Sequence, residues 1–178
     1  TESKNISEIV TGIAWSGDYR QVARKLEFTV AVSPTDRFLP QPHIALGNMV
    51  KFFTKDGIER FRGYVFFKEK SSSGTEMRVT AYDGGVYLLK SKMTRNFKRM
   101  FPAQITRLVC SKVGIPVGEL ANPGDYVSFI ADNKTLYDII IQAYTHSAKL
   151  DGSKYMPTMQ DGKLHVIRKG TITANYAL

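Results

Sequence analysis

The side chains that could carry chemistry in this sequence are few and scattered. Its three histidines, His43, His146 and His165, and its one cysteine, Cys110, are the groups suited to proton transfer, metal ligation or covalent attack near neutral pH. Hydrolysis or group transfer needs a nucleophile, a base and an orienting group, or a metal held by several convergent ligands. No histidine stands at the spacing of a helical zinc pair, and no pair of carboxylates stands out for acid–base work on a glycosidic bond. No catalytic residue, metal ligand or small-molecule substrate is therefore assigned, and a cell-wall hydrolase is the weaker reading. Gly84-Gly85 and the span from Gly114 to Gly118 match neither a phosphate loop nor a GxGxxG fingerprint, so they read as turns and helix stops, and no cofactor is expected. A single cysteine excludes an internal disulfide framework and fits synthesis in a reducing cytoplasm, with the thiol itself packed as a small hydrophobe.

Charge is the other source of chemistry. The formal net charge is +9, and Lys90, Lys92, Arg95, Lys98 and Arg99 make up half of residues 90–99, with Phe97 among them. A contact to a nucleic-acid backbone would have this composition, and so would a solvated or protein-binding face. With no helix-turn-helix, zinc-finger or RNA-recognition motif in the chain, the protein-contact reading is preferred and a basic nucleic-acid-binding module is kept as the alternative. Arg37 and Phe38, in a loop containing Pro34, Pro40 and Pro42, complete the candidate interface residues. The aromatics Tyr19, Phe38 and Tyr126 look exposed but are individually uninformative, since sheet cores and interfaces draw on the same residue types.

The elements that must position these groups are mainly strands in the first half. Leu26, Phe28, Val30 and Val32 alternate with Lys25, Glu27, Thr29 and Ala31, the period of two expected of a half-buried antiparallel strand. Residues 49–54 and 58–68 flank Lys55-Asp56-Gly57, a hairpin turn, and Met77, Val79 and Ala81 give a further strand after the turn at residues 71–74. Beyond Gly85 the period changes, which marks the best candidate for a domain boundary. Pro102, Ile105, Leu108, Val109 and Val113 predict a short helix stopped at Gly114. Thr135 and Asp138 cap a second helix with the apolar stripe Leu136, Ile139, Ile140, Ala143 and Tyr144, ended by Asp151-Gly152. Asp161-Gly162 joins residues 155–160 and 163–168 in a second hairpin. At 43% hydrophobic and 23% charged residues the chain should fold as a globular protein. It has no apolar run near the roughly 20 residues of a membrane-spanning helix, and its first residues lack the apolar core of a signal peptide.

Several short words, taken in order, resemble those of phage tail hub proteins. They are Trp15-Ser16-Gly17-Asp18-Tyr19, Phe61-Arg62-Gly63-Tyr64-Val65, Val79-Thr80-Ala81-Tyr82-Asp83-Gly84, Tyr87-Leu88-Leu89-Lys90-Ser91-Lys92, Gly114-Ile115-Pro116-Val117-Gly118 and Leu136-Tyr137-Asp138-Ile139-Ile140. The set is similar to the XkdQ-type tail proteins of PBSX-like prophages, related to late control protein D and the baseplate hub of T-even phages, over about residues 6–170.

The resemblance implies an α+β, mainly β fold: a tail-tube-like antiparallel β-barrel over residues 1–92, then a small α/β domain with two helices and a hairpin over residues 93–170. Residues 171–178 would be a linker or the truncated start of a second barrel, since the family implies two barrels per subunit and no second barrel-sized β region follows Gly170. It implies a non-enzymatic structural role in a virion or tail-like particle, as a baseplate hub subunit joining the tail tube to the central spike. Its partners would be copies of itself, a trimer in the full-length family, and the tube and spike proteins.

Overall fold

The computed structural model describes residues 3–17, 22–33, 36, 38–39, 43–71, 74–149 and 152–170. The chain forms two compact units, Thr1–Asp83 and Gly84–Leu178. This division falls ahead of the 92/93 boundary that the resemblance implies. The expected mainly β, α+β class is found.

The first unit is one antiparallel sheet curled into a half-barrel. Its strands are β1 (Val10–Gly17), β2 (Arg24–Ala31), β3 (Met49–Phe53), β4 (Glu59–Lys70) and β5 (Glu76–Tyr82), in the order β1-β2-β5-β4-β3. Register follows polarity. Leu26 faces Ala81, Phe28 faces Val79 and Val30 faces Met77, so each of the three large apolar residues of β2 meets an apolar partner on the inner face. With Ile9, Phe61 and Val65 these side chains form the core, each fully buried aliphatic or aromatic group contributing about 1.5–3 kcal/mol. The Asp56-Gly57 hairpin forms as its residues predict: Gly57 has φ +78°, and the Thr54 N–H donates to the Ile58 carbonyl at 3.0 Å. Gly63 is required for a different reason, because a β-carbon there would collide with the Tyr82 carbonyl of β5. A bulge between Val65 and Phe67 then shifts the pairing, so that Phe67 lies opposite Thr80 and emerges exposed.

Among its described residues the second unit contains three helices. A short α1 (Gly85–Lys90) was not foreseen from the sequence, whereas α2 (Pro102–Lys112) and α3 (Leu136–Ser147) were. Pro102 opens α2, the Gln104 side chain accepts the Phe101 N–H at 3.0 Å, and Gly114 at φ +69° lets the Ile115 N–H return to the Cys110 carbonyl. On α3, Thr135 accepts the Asp138 N–H at 3.0 Å, the cap its spacing predicts. Leu136, Ile139, Ile140 and Ala143 are fully buried, and α3 holds the loop ahead of Val127 through two more residues of the same face. Tyr144 donates its hydroxyl to the Ala121 carbonyl, and Ser147 donates to the Asp125 carbonyl, both at 3.0 Å. Strands β9 (Tyr155–Gln160) and β10 (Lys163–Arg168) form the second predicted hairpin, its turn made by Asp161 and Gly162 with φ of +50° and +73°. Strand β7 (Val117–Leu120) joins β10 in parallel. Strands β6 (Lys92–Met100) and β8 (Val127–Thr135) form a separate two-stranded antiparallel ribbon. No helix among the described residues is long and apolar enough to cross a membrane.

Candidate functional site

The groups able to do chemistry do not converge. His43 lies in the loop before β3, His146 on α3 and His165 on β10, and no group of three or more His, Cys, Asp or Glu is placed to hold a metal among the described residues. His146 and His165 each have a packing explanation, and His43 is exposed. His146 sets its ring edge against Phe129, and burial, with Lys149 and Lys134 nearby, holds its pKa below the ordinary histidine value. The Nδ1 of His165 accepts the Glu119 N–H at 3.1 Å. Cys110 is fully buried, and burial pushes its pKa up to about 12, so at neutral pH it remains a packed thiol and not a nucleophile.

What the structure does present is unusual strand surface, first in the half-barrel. Strand β1 is hydrogen-bonded to β2 on one side and forms one border of the sheet; apart from Val10 all its residues are exposed. Ile13 is 49% and Trp15 45% exposed on this short segment, with the Arg24 guanidinium 5.8 Å from the Trp15 ring. The opposite border, β3, turns Met49 and Phe53 outward, and Met49 pairs across the strands with the exposed Tyr64. An edge bearing apolar side chains is a surface that natural proteins otherwise shield.

The second surface is the basic ribbon. Lys90 ends α1, and Lys92, Arg95, Lys98 and Arg99 all lie exposed on β6. Thirteen of the 25 Lys and Arg but only six of the 16 Asp and Glu lie from Gly84 onward, so seven of the nine net charges belong to this unit. No one of these five cations forms an ion pair among the described residues, whereas Lys25–Glu27 and Arg62–Glu59 pair at 2.9 and 2.8 Å in the first unit. The ribbon carries two bulges, one on each strand. Phe97 pairs with Phe129 and Met100 with Val127, leaving an extra residue on β6; Met93 pairs with Lys134 and Arg95 with Ala131, leaving one on β8. Each bulge contains a non-glycine residue at positive φ, Arg99 at +47° and Asn133 at +46°. A hydroxyl from the opposite strand satisfies the backbone in each case. The Arg99 N–H donates to Ser128 Oγ and the Asn133 N–H to Thr94 Oγ1, both at 2.9 Å.

Of the interface residues expected from the sequence, the structure brings Lys92, Arg95, Lys98 and Arg99 onto one strand, next to Lys90. Phe38 is 97% exposed in the loop before β3, where Asp36 accepts its N–H at 2.8 Å. Arg37, Tyr19 and the three loop prolines lie outside the described residues. Sequence reading missed Ile13 and Trp15 as rim residues and Ile130 as an exposed side chain of the ribbon. A run of uncharged residues exposed on both faces has no polarity period to detect, and bulges erase the period of β6 and β8.

Comparison with known proteins adds a family. Residues 13–178 match the model of a family described as YQBQ-like. The chain is 29% identical over 158 residues to the phage-like element PBSX protein XkdQ of Bacillus subtilis, covering 88% of this chain and 47% of that protein. It is 31% identical over 123 residues to the uncharacterized protein YqbQ of the same organism, covering 68% of this chain and 37% of that one. The chain thus spans about half or less of the length of these curated relatives. Its fold is similar to the 43 kDa tail protein of prophage MuSo2 from Shewanella oneidensis, with TM-score 0.63 at 16% identity over 89% of this chain and 53% of the other. It is also similar to a tail protein from Neisseria meningitidis, with TM-score 0.59 at 19% identity over 85% of this chain and 44% of the other.

Proposed function

Because this chain belongs to the YQBQ-like family, we propose that it is a structural, non-catalytic component of a phage or prophage-derived tail, a baseplate hub subunit joining the tail tube to the central spike. Its work in that reading is geometric: a stiff half-barrel offers its borders and loops to copies of itself and to neighbouring tail proteins. The observation that carries the proposal is the pair of exposed sheet borders, β1 with Ile13 and Trp15 and β3 with Met49 and Phe53, in a fold shared with two tail proteins. Unpaired backbone groups at such an edge can continue a sheet into a neighbouring chain. The loop at residues 33–47, with Phe38 exposed, is a further contact in this reading.

The test is immunogold electron microscopy of tail particles purified from the source strain, using antibody raised against this chain. Label is expected at the end of the tube where the spike attaches. Label along the tube or on the fibres would replace the hub assignment with another tail position, and particles without label would remove the tail assignment altogether.

A further inference from the structure

Isolated two-stranded ribbons are marginal in water, and this one is held by burying Phe97 and Phe129, whose ring centres lie 5.1 Å apart. Its outward side has no such structural duty. It exposes Ile130 to 66%, opposite Asn96, and β6 also carries the exposed cations Lys92, Lys98 and Arg99, none of them in an ion pair among the described residues, whereas Arg95 pairs with the buried Ala131 on the Phe97 face. Just beyond the end of the strand a small stack is built: the Phe101 and Tyr126 rings lie 4.0 Å apart at 28°, and the Arg99 guanidinium lies 5.4 Å from the Tyr126 ring centre. Arg99 reaches that place from a backbone conformation that side-chain-bearing residues seldom adopt. Strain of that kind, kept on an exposed surface, argues for a role beyond folding.

We propose that the β6–β8 ribbon docks an extended acidic segment of another protein, with its carboxylates on Lys92, Lys98 and Arg99 and an apolar side chain on Ile130. The argument is charge complementarity. Cations without a carboxylate partner among the described residues leave several positive charges on one strand to be neutralised, and the strand's nine residues set the length of the segment. An exposed aliphatic centre with a charged rim, and an arginine held in advance by an aromatic ring, is the composition of a protein hot spot. Single-stranded nucleic acid fits less well, since it needs free aromatic faces for its bases, and Tyr126 is already engaged by Phe101 and Arg99. The inference concerns the second unit alone and is independent of assembly through the half-barrel borders.

The experiment is fluorescence anisotropy of the whole chain with a labelled peptide of alternating Glu and Val, about nine residues long to match β6. The same peptide with Gln for Glu and an oligo(dT) of similar length serve as comparisons. The Glu peptide is expected to bind, losing affinity as salt rises from about 50 to about 300 mM, and the Gln peptide to bind at least about tenfold more weakly. Charge reversal on the ribbon, Lys92→Glu with Lys98→Glu, is expected to weaken binding about tenfold or more, and Ile130→Ser several-fold. The equal change of net charge at Lys51→Glu with Lys55→Glu, on the first unit, should leave it within about twofold. All these side chains are exposed, and an unchanged thermal midpoint verifies that each variant is folded. No binding of the Glu peptide, equal binding of the Gln peptide, or equal loss from the two charge reversals would overturn the proposal. Tighter, ribbon-dependent binding of oligo(dT) would overturn it in favour of a nucleic-acid surface.

Discussion

The imidazole of His165 occupies the space that a β-carbon on Gly118 would require. Its Nδ1 takes the neighbouring Glu119 N–H, so one side chain of β10 both demands a glycine on β7 and holds that strand in place. The parallel pairing of β7 is short, with a register shift between Leu164 and Val166, and is supported by the Leu164 N–H on the Pro116 carbonyl and the Ala121 N–H on the Val166 carbonyl, both at 2.8 Å.

Gly118→Ala should therefore destabilise the protein by about 1–3 kcal/mol, the usual range for forcing atoms into a packed site. Urea unfolding of Gly118→Ala, His165→Ala and the double variant measures it. The double variant should be more stable than the sum of the single losses implies, because removing the ring frees the space. Strict additivity would show that the ring does not exclude the β-carbon.

Cys110 should be silent to thiol reagents in the folded protein. Full burial on α2, with its pKa pushed up to about 12, leaves it protonated across the neutral range. A chromogenic disulfide reagent is expected to release colour only as urea unfolds the chain, following the loss of circular dichroism. Prompt reaction in native buffer would place the thiol outside the core.

The β4 pair of Glu59 and Arg62 sets a pH dependence. Two parallel hydrogen bonds, Nε to Oε1 and a terminal nitrogen to Oε2 at 2.8 Å each, hold the Glu59 pKa below its ordinary 4.5, against a smaller opposing effect of burial. A carboxylate whose pKa is lowered in the folded state stabilises above its unfolded value and loses that contribution as pH falls through the folded one. The stability advantage of the natural chain over Glu59→Gln should then be constant from pH 6 to pH 8 and shrink below about pH 4.5. An advantage independent of pH down to acid unfolding would refute the assignment.

The half-barrel borders can be tested by mass in solution. Ile13→Lys with Trp15→Lys places charge on a strand already exposed on both faces, so folding should persist while edge pairing is blocked. Light scattering over a concentration series is expected to show self-association of the natural chain and a monomeric variant. Equal masses for the two at every concentration would exclude β1 as a self-contact.

Where packing is one-sided, the sequence can be read directly. Leu26, Phe28 and Val30 alternate with Lys25, Glu27 and Thr29 because one face of β2 is core and the other is not. The same logic made α2, α3 and both Asp-Gly and Gly-bounded turns legible, since their caps and stops are local: Thr135 to Asp138, Asp161 to Gly162, and Gly114 after Val113. Strand β1 had no such signature, because an edge with both faces open imposes no alternation. Strands β6 and β8 hid theirs behind two bulges that shift the register by one residue each.

The identities along the chain thus determined β2, α2, α3 and the two Asp-Gly hairpins, that charge gathers near residues 90–99, and that the reactive groups have no motif around them. The tertiary structure decided that the charged stretch is a strand, that Arg99 meets Tyr126 from 27 positions away, and that the two borders of the half-barrel carry apolar residues. The division has a physical cause. Periodicity and capping depend on neighbours within a few residues, whereas which strand lies at an edge, and which ring lies beneath a guanidinium, depends on pairings between residues far apart in the chain.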